Sequence, residues 1–316
     1  MTVGETVWVD RKSPATGSLS GELMIFSPAS ARTVGRMTAS TPQIPLIDLN
    51  DGRAIPQLGF GTYQVPPADT EKVVSDALEA GYRHLDTAQM YGNEDGVGRA
   101  IAASGIPRDE LWLTTKLNNS FHERAAARDS AERSLEALGG RIDLFLVHWP
   151  LAMHDDVARV WEAMEGIRSD FAVDSIGVSN FTPANLARLS EAGLSTPTVN
   201  QIESNPYFVN DEVRAACTDR GIAVEAWSPL AQGAVFDDPQ LTALADQVGR
   251  SISQVVLRWV LQRGDIVFPK SSSPGRMREN LDLFDFELND EQMASISALH
   301  NGTRSGPDPD TFDWRG

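Results

Sequence analysis

Leu58-Gly59-Phe60-Gly61-Thr62-Tyr63-Gln64-Val65-Pro66-Pro67 is the stretch on which the fold turns. Two glycines one residue apart after a short apolar run can open a dinucleotide-binding βαβ unit. Such a unit wants a third glycine three residues later and a helix that starts at once. Here Gln64 stands in the third place and Pro66-Pro67 delays the helix. An open doubly wound sheet is disfavoured, and this strand needs another setting.

Seven more short apolar runs follow: His84–Leu85, Leu111–Thr115, Ile142–Val147, Val173–Val178, Thr198–Ile202, Val224–Ala226 and Ile266–Phe268. Between them apolar residues recur at helical spacing, as in Val73, Ala77, Leu78 and Ala80 or Ala131, Leu135 and Leu138. Glycines such as Gly81, Gly139, Gly193, Gly221 and Gly264 punctuate the joins. Strands alternating with helices imply parallel pairing with right-handed crossovers. Eight such units favour a closed α/β barrel, a (β/α)8 TIM barrel. Two helices are in excess, one after the seventh strand (Asp238–Val248) and one near the end (Asp290–Leu299).

Ahead of the first barrel strand, Ile44–Leu49 and Arg53–Pro56 flank Asn50-Asp51-Gly52, a hairpin expected to cap the barrel bottom. Residues 44–316 therefore read as one barrel domain. Residues 1–43 are rich in Ser, Thr, Gly and Ala, and Leu23-Met24-Ile25-Phe26 is too short for a signal-peptide core. They read as a poorly ordered extension.

Composition narrows the function. Against 27 basic residues stand 44 acidic ones, a formal charge of −17. Such a surface repels phosphate backbones and anionic lipid, so neither nucleic acid nor membrane is the expected partner. No apolar run nears the roughly 18 residues of a membrane span. The single cysteine, Cys217, excludes an intrachain disulfide and falls in an amphipathic stretch, as a small core residue does. A cytoplasmic location is the expectation.

In a parallel barrel, reactive groups gather where strands end. Those ends read Thr62, Asp86, Lys116, His148, Ser179-Asn180, Gln201, Trp227 and Lys270, and Tyr91 follows Asp86 by five residues. A phenol with a reference pKa of about 10 is a poor acid at neutral pH unless tuned. Lys116 can lower it, Asp86 can hold the lysine charged and aimed, and His148 can orient a substrate oxygen. Each residue alone has a bland reading: a loop or capping carboxylate, a packed ring, a mouth salt bridge, a satisfied core histidine. All four at one mouth do not.

Asp86-Thr87-Ala88, Tyr91-Gly92-Asn93-Glu94, Thr114-Thr115-Lys116-Leu117, Leu146-Val147-His148-Trp149-Pro150, Ile176-Gly177-Val178-Ser179-Asn180-Phe181 and Pro269-Lys270-Ser271 resemble, in order, the aldo-keto reductase superfamily. The likeness spans about residues 44–312 and is greatest to bacterial reductases of the 2,5-diketo-D-gluconate reductase type. It implies NADPH-dependent reduction of aldehydes or ketones in a protein expected to be a monomer, as relatives of this type often are. It implies Tyr91 as general acid, Lys116 and Asp86 as its tuning pair, and His148 as the substrate-orienting group. Trp227 would stack on nicotinamide, where many relatives carry tyrosine. Ser179, Asn180 and Gln201 would bind the carboxamide, with Gly61 and Thr62 nearby. Ser228, Leu230, Gln232 and Gly233 would lie against the pyrophosphate. The Lys270–Arg276 segment has its own logic as a dianion site of lysine, hydroxyls and arginine at a helix start, although a plain cap with Pro274 at the first helical position reads equally well. The resemblance favours Lys270, Ser271, Ser272 and Arg276 on the adenosine 2′-phosphate, with Glu279 and Asn280 near adenine. Tyr63, Asn118, His148 and Trp149, with the C-terminal loop Thr303–Trp314, would face substrate. Asn118-Asn119 departs from a common tryptophan, altering one pocket wall, and Phe171–Ser175 departs from a usual Gly and basic residue outside the site.

Two other classes are weighed. A barrel that holds NADPH as a redox reporter for a partner chain would need no turnover, and an intact tetrad speaks against it. A metal-dependent hydrolase would want more than His84, Asp86, Lys116 and His148; His154 and His300 end no strand, so no metal is expected.

Overall fold

A computed structural model describes residues 44–315; the expected extension, 1–43, lies outside the described residues. The hairpin is β1 (Leu46–Asp48) and β2 (Ala54–Pro56), paired antiparallel. Eight parallel strands follow: β3 (Phe60–Gly61), β4 (His84–Asp86), β5 (Trp112–Leu117), β6 (Ile142–Val147), β7 (Val173–Ser179), β8 (Val199–Glu203), β9 (Ala223–Trp227) and β10 (Ile266–Val267). They are hydrogen-bonded in chain order from β3 to β10. The ring closes where Leu58, just before β3, bridges Val267 of β10 in parallel. Gly59 N donates to Val267 O at 2.8 Å and Val267 N to Gln57 O at 3.0 Å across that seam.

The glycine pair of the opening stretch belongs to this closure. A Cβ on Gly59 would lie 2.7 Å from the His84 ring, and one on Gly61 would lie 2.7 Å from the Phe268 carbonyl oxygen. Both positions demand the absence of a side chain because neighbouring strands press there, not because phosphate does.

Helices wrap the ring: α1 (Pro67–Ala80), α2 (Glu94–Ser104), α3 (Arg124–Ala137), α4 (Val157–Asp170), α5 (Pro183–Glu191) and α6 (Asp211–Thr218) follow β3 to β8 in turn. After β9 come α7 (Pro239–Val248) and α8 (Ile252–Gln262), after β10 α9 (Pro274–Glu279), and then α10 (Asp290–Ser297). The two extra helices stand where the periodicity puts them. Proline opens α1, α5, α7 and α9, where its missing N–H costs nothing.

The core has two parts. One fills the space between strands and helices, with Trp161, Trp259, Phe145 and Phe181 fully buried. The other fills the lower barrel: Ile55 of the hairpin packs with Leu144, Leu146, Val199 and Ile266. Asn50 Nδ2 donates to Pro197 O at 2.9 Å and Gly221 O at 3.1 Å, just ahead of β8 and β9. The hairpin therefore seals the bottom and leaves the strands' C-terminal ends as the open face.

Candidate active site

Loop architecture after β4 sets the phenol. Asn93, 1 % exposed, donates from Nδ2 to the carbonyls of Thr62 at 3.1 Å and Val65 at 3.2 Å and accepts from Thr87 Oγ1 at 2.8 Å. Between these anchors Gln89–Tyr91 forms one 3₁₀ turn, ended by Gly92 at φ 65. Gln89 ties that turn to the neighbouring unit, accepting from Asn118 N at 2.7 Å and donating to Ser134 Oγ at 3.0 Å. Tyr91 is left half-buried, with its ring on the barrel mouth.

Lys116, fully buried at the end of β5, donates to Asp86 Oδ1 at 2.7 Å, Asp86 Oδ2 at 2.8 Å and Thr87 O at 2.8 Å. All three ammonium protons are satisfied. Its Nζ lies 5.2 Å from the centre of the Tyr91 ring. The His148 ring stands edge-on to Tyr91, centroids 5.8 Å apart. Tyr91 and the three strand-end residues Asp86, Lys116 and His148 are thus one cluster.

Burial and charge contend within it. Desolvation drives both members of the Asp86–Lys116 pair toward neutrality. With Lys116 and the Gln201 amide donating to Asp86, the ionised pair is what the geometry fits, and the lysine ends above its ordinary value because Asp86, Tyr91 and Glu225 outweigh its burial. The expected lowering of Tyr91 is not the net result. Burial pushes the phenol up to about 12, and the pull of Lys116 only partly offsets it. His148 is held well below the usual imidazole range by burial, Lys116 and His122, so it is neutral. Its Nδ1 is buried and has no partner among the described residues.

A cleft of about 710 Å³ opens above the cluster. Gly61, Asp86, Tyr91, His148, Ser179, Asn180 and Gln201 form its floor, and Trp227, Ser228, Leu230, Gln232, Gly233 and Lys270 line it toward β9 and β10. Tyr63 and Trp149 complete the wall expected of them. The Ser228–Gly233 loop is sharply folded, with Ser228, Ala231 and Gln232 all at positive φ, which non-glycine residues hold only under tertiary constraint. Ser179 Oγ donates to Gln201 O at 2.9 Å, and Trp227 Nε1 donates to Asn180 Oδ1 at 2.8 Å.

Some expected contacts lie elsewhere. Asn118 is off the cleft: its Oδ1 accepts from Ser120 N and Oγ, capping the next 3₁₀ turn, so a short side chain there serves its own loop. Thr62 is buried below the cleft, its Oγ1 without a partner among the described residues. Ser271, Ser272, Arg276, Glu279 and Asn280 lie outside the cleft, from the residues before α9 to its C-cap, and Glu279 lines a separate shallow groove with Arg250 and Gln254.

Further residues line the cleft beyond those to which the sequence points. Met90, Phe236 and Phe268 add apolar surface. The C-terminal strap brings Phe312 against Trp149, ring centroids 4.2 Å apart, while Trp149 meets Trp227 edge-on at 6.4 Å. Glu203, at the end of β8 and 1 % exposed, pins that strap by accepting from Ser305 N and, at 3.4 Å, from Gly306 N. The Gln201-x-Glu203 alternation on an inward-facing strand was the signal that could have found it.

Comparison with known proteins follows the same lines. The model of the Aldo/keto reductase family matches residues 57–301. An aldo-keto reductase of Mycobacterium sp. (strain KMS) is 47% identical over 273 residues, covering 86% of this chain and 99% of that protein. The methylglyoxal reductase DkgA of Yersinia pestis is 44% identical over 271 residues, 85% of this chain and 97% of that one. Among solved structures, a Bombyx mori aldo-keto reductase in complex with NADP superposes with a TM-score of 0.80 at 38% identity, covering 85% of this chain and 96% of that one.

Proposed function

This chain belongs to the aldo/keto reductase family, and from that premise we propose that it reduces an aldehyde or ketone to the alcohol with NADPH, Tyr91 delivering the proton. The supporting observation is the lysine held by both oxygens of Asp86 beside the Tyr91 ring, with neutral His148 on the same cleft.

The residues fit a dinucleotide. The flat Trp227 indole offers a stacking surface, Ser179, Asn180 and Gln201 offer amide and hydroxyl groups below it, and Lys270 on the cleft, with Ser271, Ser272 and Arg276 outside it in the segment that follows, would supply the groups for a 2′-phosphate. When bound, NADPH supplies the hydride that reaches the carbonyl carbon.

Negative charge then gathers on the substrate oxygen. Tyr91 Oη gives its proton to that oxygen, one O–H bond breaking as the other forms. A phenol raised to about 12 stays fully protonated at neutral pH. An alkoxide is a far stronger base than a phenolate, so the transfer still runs downhill. The phenolate left behind faces the Lys116 ammonium, which Asp86 keeps in place. His148, neutral, can donate one hydrogen bond to the same oxygen and hold it against the phenol. Met90, Trp149, Phe312 and Trp314 line the cleft with apolar surface around the reacting groups.

The relative's name makes a 2-oxoaldehyde the first substrate to try. NADPH oxidation followed by absorbance is expected with methylglyoxal or a simple aromatic aldehyde. In Tyr91→Phe it should fall by about 10³-fold or more, the upper range for loss of a general acid. NADPH should still quench tryptophan fluorescence in that variant. Full turnover by Tyr91→Phe would remove the phenol from its role. Tight binding with no turnover on a broad carbonyl panel would favour a cofactor-holding protein instead.

A further inference from the structure

Beneath the Asp86–Lys116 pair lies a second acid, Glu225 of β9, wholly buried, that the reaction described above does not use. We propose that Glu225 is a positioning residue: bridged to Asp86 through the Gln201 amide, it fixes which face of that amide meets the cleft, and it adds a second negative charge under the site when it ionises. The inference rests on the NADPH reading above.

The geometry carries the first half. Gln201 Nε2 donates to Asp86 Oδ2 at 2.9 Å and to Glu225 Oε2 at 2.7 Å. Those two bonds use both protons of the amide nitrogen. A flipped amide would set its oxygen against Asp86, which holds the lysine and has no proton to offer. The nitrogen is therefore committed inward, and Gln201 presents its oxygen, an acceptor, to a cleft it helps to line. Without Glu225 one amide proton would be free and the side chain could turn.

The surroundings carry the second half. From β4, Glu225 is faced by Asp86 and by His84, whose Nε2 is 3.9 Å from Oε1. From β5 the charge of Lys116, already committed to Asp86, reaches it, while Thr114 bonds the His84 ring at 3.3 Å. On its other side Ile266 of β10 is apolar. Burial lowers His84 to about 4, so among the described residues no free cation stands beside the carboxyl and Glu225 Oε1 has no hydrogen-bond partner. A buried carboxylate without its own counter-ion is costly. Burial, then Asp86, pushes Glu225 up to about 8, so its charge changes just above neutrality.

A negative charge there favours a cationic nicotinamide ring over a neutral one. The affinity for NADP+ relative to NADPH should therefore rise with pH. Dissociation constants for both dinucleotides would be measured by tryptophan quenching from about pH 6.5 to 9.5 in the wild type, Glu225→Gln and Glu225→Met; the first variant keeps shape and hydrogen bonding, the second keeps volume. In the wild type the ratio should move toward NADP+ by about tenfold, the size expected of one added charge at partial screening. It should stay within about twofold in both variants. In the protein alone, a carboxylic-acid infrared band should fade over that range and be missing from both variants. A ratio that shifts equally in wild type and either folded variant, or a band that neither fades nor disappears on substitution, would overturn the proposal. Failure of the wild type to bind either dinucleotide would instead sink the reductase reading, and the infrared titration would still decide the charge of Glu225.

Discussion

The two ends of the barrel both pair buried acids with bases, and they do it in opposite ways. At the bottom, Asp143 is nearly inaccessible, but its partners reach solvent: Arg108 at 2.6 Å is 25% exposed and Arg141 at 3.1 Å is 43% exposed. Arg141 extends to Asp174 at 2.7 Å, and Arg53 reaches the same Asp174 from the hairpin at 3.7 Å. Planar guanidinium forks share several oxygens there while their charge stays hydrated. At the mouth a lysine, with 0% of its side chain exposed, takes one carboxylate, Asp86 at 3%. A compact ammonium deprived of water is a poor structural device, since desolvation offsets much of the attraction. It becomes useful only if the charge acts on a third group, and in the proposed reaction Tyr91, whose ring centre is 5.2 Å away, is that group.

The largest effect follows from breaking the mouth pair. Lys116→Met should leave Asp86 buried and uncompensated, at a cost of about 3–5 kcal/mol of stability, and, on the proposed mechanism, should also remove the charge that would receive the phenolate. Denaturant titration and NADPH turnover together would check it. A variant losing turnover while keeping its midpoint would mean that Asp86 simply takes up a proton, weakening the contrast between the two ends.

Most of the barrel is legible in the sequence because its strands are buried on both faces and read as unbroken apolar runs. The eight runs coincide with eight strands, and Asp86, Lys116 and His148 stand out because each ends such a run. Glu225 escaped for the converse reason. It sits inside the run Val224–Ala226, where one charge looks like an interruption rather than an inward-facing group. Asn118 misled because its place after β5 suggests the mouth, while local bonding to Ser120 turns it away. The phenol's acidity was also beyond reach: sequence shows the neighbouring lysine and not the burial that outweighs it.

A smaller effect is expected where the mouth meets the strap. A Cβ on Gly306 would come within 2.4 Å of Trp227 Cη2. Gly306→Val should lift the strap from Trp227 and strain the Glu203 bonds, at about 1–2 kcal/mol of local anchoring. The expected reading is a roughly tenfold rise in KM for carbonyl substrate, with the unfolding midpoint little changed. An unaltered KM would mean the strap does not shape the pocket.

The smallest effect belongs to the bottom. Arg141→Met removes a charge from Asp143 and Asp174, but Arg108 and Arg53 remain beside them and water reaches the site. Exposed pairs contribute about 0–1 kcal/mol, and salt erodes them. The variant should lose less than about 1 kcal/mol, lose still less at high salt, and turn over normally. Lys116→Met should be nearly indifferent to salt, because ions do not enter a fully buried site. A large, salt-independent loss in Arg141→Met would show that Asp143 depends on that arginine as completely as Asp86 depends on its lysine, and exposure of the base would then no longer separate the structural end of the barrel from the reactive one.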